Sequence, residues 1–130
     1  MSLNDPLANA LSHIKNCELT AKKKAIIKNS SKLIKEVLEI FKNKGYIGGY
    51  TEVKTNKGNF LEVDLMGKIN NCGAIKPRFS ITIEDYEKFE KRYLPAKGFG
   101  IIIISTNKGL FSHEDSVEKN LGGRLIAYCY

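Results

Sequence analysis

Four consecutive isoleucines, Ile101-Ile102-Ile103-Ile104, constrain this chain more than any other stretch. A β-branched run of this kind cannot spread around an amphipathic helix, and it suits a strand buried on both faces. It stops abruptly at Ser105-Thr106-Asn107-Lys108-Gly109, which brings hydroxyls, an amide, an ammonium and exposed backbone. A stiff apolar strand delivering such a tip presents a rigid recognition loop; equally, it is a core strand followed by an ordinary turn.

Hydrophobic periodicity organises the remainder. Asp5-Pro6 reads as an N-cap with proline at the first helical position, and Leu7, Leu11 and Ile14 give one apolar stripe on a helix ending near Cys17. Ala25-Ile26-Ile27 reads as a short strand entered through Lys22-Lys23-Lys24, a run that fits a phosphate contact or a solvated strand edge. Asn29-Ser30-Ser31 offers successive caps to a second helix carrying Leu33, Ile34, Val37, Leu38, Ile40 and Phe41, with Gly45 as its stop. That helix N-terminus, with Lys32 beside the serines, also suits a phosphate. Residues 46–53 and 60–66 form strands joined through Asn56-Lys57-Gly58. Residues 1–67 thus read helix, strand, helix, strand, strand, a two-layer unit of an α+β fold.

Residues 67–73 are the softest composition and divide the chain into 1–67 and 68–130. Residues 75–81 resume extended structure, with Pro77 at an edge or bend. Thr82 and Asp85 resemble a capping box ahead of a helix with Tyr86, Phe89 and Tyr93 on one stripe, which reads first as core. Ser112 and Asp115 start a short helix, and residues 125–130 make a final strand. The second half is therefore a mostly antiparallel β unit with short helices. Gly122-Gly123 lets backbone approach whatever lies outside, and equally serves as a helix stop and turn.

Charge narrows the function. Eleven basic residues against seven acidic in the first half, and ten against seven in the second, spread a net +7 over the whole chain. A small basic protein of this kind most often meets nucleic acid, ahead of an anionic membrane or an acidic protein. No apolar run exceeds six residues, and no basic-then-apolar leader opens the chain, so a membrane role is not expected. Cys17, Cys72 and Cys129 are odd in number and widely separated, and read as free thiols. With only His13 and His113 to add, neither a metal nor another cofactor is expected.

Catalysis finds little footing. Ser105 has only His113 and Asp115 nearby, and both fit better at the start of a capped helix. Apart from Asp5, the carboxylates sit in patterns that expose them as surface charge. A small hydrolase with Ser105 as nucleophile is the alternative from another class.

The motifs in this order resemble the eighth small-subunit ribosomal protein family, in its archaeal and eukaryotic form, over nearly the whole chain. Asp5-Pro6-Leu7-Ala8-Asn9 resembles the opening helix; Ser30-Ser31-Lys32-Leu33 with Lys44-Gly45-Tyr46-Ile47 resembles the second helix and its exit. Asn71-Cys72-Gly73, Pro77-Arg78-Phe79, Leu94-Pro95 and Phe99-Gly100 are similar to segments that mark the archaeal and eukaryotic branch. Ser105-Thr106-Asn107-Lys108-Gly109 resembles the signature loop, and Gly122-Gly123-Arg124-Leu125 the last turn. Asn107 stands where bacterial relatives have serine, and Arg124 where they have glutamate.

The resemblance implies two small packed α+β halves, no cofactor, and a cytoplasmic place in the small ribosomal subunit. The partners it implies are small-subunit ribosomal RNA, bound at an irregular helix of the central domain, and neighbouring small-subunit proteins, whose assembly the family aids. It places the loop matching Ser105 and Thr106 in a distorted minor groove, Gly122 and Gly123 alongside, and Ser30, Ser31 and Lys32 on backbone elsewhere. Asn107, Lys108 and Arg78 complete the expected RNA-contacting set, and the free protein is expected to be a monomer. A translational regulator or general structured-RNA binder using the same surface is the nearer alternative.

Overall fold

A computed structural model describes residues 6–28, 31–75, 78, 80–95 and 99–130, with Ile83 described by its backbone alone. The fold is α+β, and the chain divides into two compact units, 1–71 and 72–130. The expected caps Asp5, Asn29 and Ser30 and the bend at Pro77 lie outside the described residues.

In the first unit, α1 (Pro6–Leu19) buries Leu7, Ala10, Leu11, Ile14 and Cys17. It runs two residues past the stop expected at Cys17. Strand β1 (Lys24–Ile27) follows, and then α2 (Lys32–Asn43), which buries Ile34, Val37, Leu38 and Phe41. Ser31 caps α2, its Oγ accepting from the Ile34 N–H at 3.3 Å. At the other end Gly45 adopts φ +83°, and the Tyr46 N–H returns to the Phe41 carbonyl at 2.9 Å. Strands β2 (Ile47–Thr55) and β3 (Gly58–Leu65) pair antiparallel, giving the sheet order β1-β3-β2. Along β3, Leu61, Val63 and Leu65 are buried while Asp64 is exposed, so this sheet has one apolar face. Burying each such side chain contributes about 1.5–3 kcal/mol. The Glu18 carboxylate accepts N–H groups from Gly67 and Ile69, at 3.3 and 3.0 Å, and ties the end of α1 to the segment leaving β3.

The second unit is built on β8. In chain order come β4 (Cys72–Ala74), β5 (Ser80–Ile81), a 3-10 turn (Ile83–Asp85), α3 (Tyr86–Tyr93), β6 (Ile101–Thr106), β7 (Gly109–Ser112), α4 (His113–Glu118) and β8 (Gly123–Cys129). The sheet order is β4-β8-β6-β7, with β5 also paired to β8 and every pairing antiparallel. All four isoleucines pair with β8, Ile103 and Ile104 pair with β7 as well, and all are buried, as their β-branched run predicts. Ile102 and Ile104 join Tyr86, Phe89, Leu94 and Leu125 in one apolar cluster, so the aromatic stripe of α3 is core at its first two positions. The Asp85 carboxylate accepts from the Thr82 N–H and hydroxyl, both at 3.2 Å, at the start of this helix.

Candidate nucleic-acid interface

The stretch 105–109 is not a loop. Strand β6 continues through Thr106 and β7 begins at Gly109, so only Asn107 and Lys108 form the turn. The ladder extends this far because the Thr106 side chain closes it. The hydroxyl donates to the Gly109 carbonyl at 2.8 Å and accepts the Lys108 N–H at 3.1 Å. Gly109, at φ +120°, supplies the backbone geometry that an L side chain rarely adopts. The same tetrapeptide occurs as Thr55-Asn56-Lys57-Gly58 between β2 and β3. There, Thr55 Oγ1 donates to the Gly58 carbonyl and Gly58 has φ +123°. Two tips of identical sequence share this bond and this glycine conformation, so the threonine–glycine bond is turn chemistry, whatever else each tip does. Thr106→Ala and Thr55→Ala should each cost about 0.5–1.5 kcal/mol in urea denaturation. Losses below that range would show that the turn closes without the hydroxyl.

Ser105 is differently placed. It lies opposite Arg124 of β8 and Leu110 of β7, half-buried, and its hydroxyl makes no hydrogen bond among the described residues. Asn107, Lys108 and Arg124 are exposed. One tip therefore offers a hydroxyl, an amide, an ammonium and a guanidinium, held by a strand whose isoleucines cannot shift independently.

Gly122 and Gly123 fit against the chain itself. A Cβ at Gly122 would lie 2.8 Å from the Ile81 carbonyl oxygen, and one at Gly123 would overlap the Ser105 carbonyl oxygen. The close approach that these glycines make is therefore to β5 and β6 of the chain itself, whereas the sequence reading has it made to something outside. The glycines bring Arg124 into register with Ser105.

A buried brace lies behind the tip. His113 is 3% exposed; its Nδ1 accepts the Ile102 N–H at 3.1 Å, which leaves the ring proton on Nε2. That Nε2–H donates to Glu90 Oε2 at 2.8 Å, with the Glu90 side chain only 15% exposed. Glu90 thus corrects the expectation that the carboxylates outside the caps are surface charge: burial beside His113 gives it a structural partner. Ser112 caps α4 through the Asp115 N–H, as the sequence indicates. The histidine is committed to α3 and β6, and Ser105 has no catalytic base in it.

In the first unit, Ser31 is spent as a cap while Lys32 is exposed on the first turn of α2. Arg78 is exposed, and Ser30 lies outside the described residues. Within the lysine run, Lys24 Nζ meets Glu62 Oε1 at 2.6 Å, a hydrogen bond that raises its pKa above the ordinary lysine value. Lys24, though exposed, is therefore a cross-strand partner on β1–β3, and Lys22 and Lys23 beside it are exposed without an ion pair among the described residues. Sequence reasoning missed the duplicated tetrapeptide, which is plain once the two turns are aligned. It missed the Glu90–His113–Ile102 brace too, for which spacing carries no signal.

Among the described residues no group of three or more His, Cys, Asp and Glu side chains could hold a metal ion, and no helix is long and apolar enough to cross a membrane. The fold and composition define a basic α+β protein, with one rigid tip that carries exposed polar and basic groups. Residues 5–130 match the family model described as Ribosomal protein S8, and the chain belongs to that family. It is accordingly a structural, non-enzymatic protein of the small ribosomal subunit in the cytoplasm, and its partners are small-subunit ribosomal RNA and other ribosomal proteins.

Proposed function

We propose that the chain is an archaeal/eukaryotic-type member that binds an irregular helix in the central domain of small-subunit ribosomal RNA, as a monomer with no membrane association. It acts as a primary binder there, and helps neighbouring small-subunit proteins assemble. The observation that carries this reading is the β6–β7 tip: the Ser105 hydroxyl, without a partner among the described residues, beside exposed Arg124, Asn107 and Lys108. Regular A-form RNA closes its major groove to side chains, so a narrow, rigid tip of small donors suits a wide minor groove or a distortion, with 2′-hydroxyls and base edges as targets. In the contact set, Gly122 and Gly123 position the tip from behind, Thr106 shapes it, and Lys32, Ser30, Ser31 and Arg78 contact RNA backbone. Two glycines of the segments that resemble that branch are closely packed. A Cβ at Gly73 would lie 3.1 Å from the Tyr128 hydroxyl and 3.2 Å from its ring, and one at Gly100, where φ is +91°, would lie 2.6 Å from the Cys129 carbonyl oxygen. Both segments are thereby fitted to the end of β8.

The test compares binding to the matching ribosomal RNA helix with binding to an unrelated hairpin of equal length, at two salt concentrations. Preference for the ribosomal helix that persists at the higher salt is expected; equal affinities that fade together with salt would leave only nonspecific charge. Ser105→Ala should cost about 1–3 kcal/mol of the specific complex. The duplicated turn supplies an internal control. Lys108→Ala should weaken the specific complex and lower the salt slope by about one, and Lys57→Ala, on the same tetrapeptide elsewhere, should not. Equal losses from both would remove the β6–β7 tip as the specific contact.

A further inference from the structure

Cys72 and Cys129 are 57 positions apart in sequence and directly opposite each other in the sheet, on β4 and β8. The ladder fixes the kind of pair they form. The Ile75 N–H donates to the Ile126 carbonyl at 2.9 Å, continuing the register of Cys72↔Cys129, Gly73↔Tyr128 and Ala74↔Ala127. Hydrogen-bonded and non-hydrogen-bonded pairs alternate along an antiparallel ladder, so Ile75/Ile126 and Gly73/Tyr128 are of the first kind. Cys72/Cys129 is of the second, with Cα atoms about 4.5 Å apart and both side chains on one face at closest approach. That separation lies at the short end of the range a disulfide spans, about 4.4–6.8 Å. Neither cysteine is in a disulfide, and both are buried, at 3% and 0% exposure.

We propose that Cys72 and Cys129 are a reversible dithiol–disulfide site, oxidised by a small-molecule disulfide. Cys72 reacts first, because it sits at the start of a three-residue strand on the edge of its sheet, where local opening costs least. Its thiolate attacks one sulfur of the reagent disulfide and expels a reagent thiolate, leaving a mixed disulfide on Cys72. The Cys129 thiolate then attacks the Cys72 sulfur and releases the second reagent thiolate. Two protein S–H bonds are lost and one S–S bond forms; the reagent disulfide is reduced to two thiols, which take up the two protons. A cross-strand bridge at the short limit of its range is easily reduced, so an added dithiol restores both groups. Cys17, on α1 of the other unit, has no opposed cysteine and is a bystander.

The test uses the folded full-length chain carrying Cys17→Ser, treated with oxidised glutathione and analysed by thiol titration, intact mass and nonreducing peptide mapping. The expected result is loss of both thiols, a mass lower by two hydrogens, a cross-linked peptide joining Cys72 to Cys129, no dimer, and full reversal by dithiothreitol. Cys129→Ser in the same background should instead stop at a glutathione adduct on Cys72; Cys129→Ala repeats this arm should the serine disturb folding. A persistent adduct in the presence of Cys129, intermolecular dimers, or thiols that react only in denaturant would each overturn the proposal.

Discussion

Gly123→Ala is expected to destabilise the protein by about 3 kcal/mol or more, measured as a shift of the urea midpoint at unchanged m-value. The added methyl would overlap the Ser105 carbonyl oxygen and come within 3.0 Å of the Ile104 side chain, on a strand held by partners on both sides. A flexible side-chain end could swing away, but a ladder carbonyl cannot move without its strand. Either β8 separates from β6 at Arg124, or β6 shifts and carries the tip with it. A loss under about 1 kcal/mol would mean that β8 slides to make room, and that the tip is less firmly held than its packing indicates.

His113→Ala should cost about 3–5 kcal/mol, because it removes three things together. The Ile102 N–H, buried in the central strand, loses its acceptor; the Glu90 carboxylate loses its donor in a largely buried position; and the ring leaves a void. Glu90→Gln keeps an acceptor for the Nε2 proton and should cost far less, about 1 kcal/mol. The double variant His113→Ala/Glu90→Ala should therefore be less destabilised than the sum of the two single alanine variants, since the second change removes the stranded carboxylate. Strict additivity in that cycle would show that the 2.8 Å contact contributes nothing to stability.

Both effects reside in contacts that no local pattern announces. Residues 90, 102 and 113 share no helical or strand period, and the glycine pair at 122–123 reads equally as a stop, a turn or an approach site until its neighbour is known. The cysteines are scattered in sequence, and 72 and 129 become a pair only when β4 and β8 are in register. The duplicated tetrapeptide was legible from the start, but what its threonine does had to be seen in the hydrogen bonds of the two turns. Thr106 shows the cost of reading residue types alone. Its hydroxyl, expected as an RNA contact, also closes the turn, and Ser105, one residue earlier, carries the hydroxyl without a partner among the described residues.

Within each element, the sequence alone was decisive. The stripes of α1 and α2, the alternation along β3 and the buried isoleucines of β6 follow from hydrophobic spacing, since each apolar face must find cover within a short stretch of chain. Charge pointed to a polyanion, and the order of the motifs pointed to the family. The tertiary structure alone decided which backbone the glycines approach, which carboxylate is buried, which cysteines face each other and which hydroxyl remains available. Those are distances between residues far apart in sequence, set by strand register and steric exclusion, and periodicity along the chain contains no information about them.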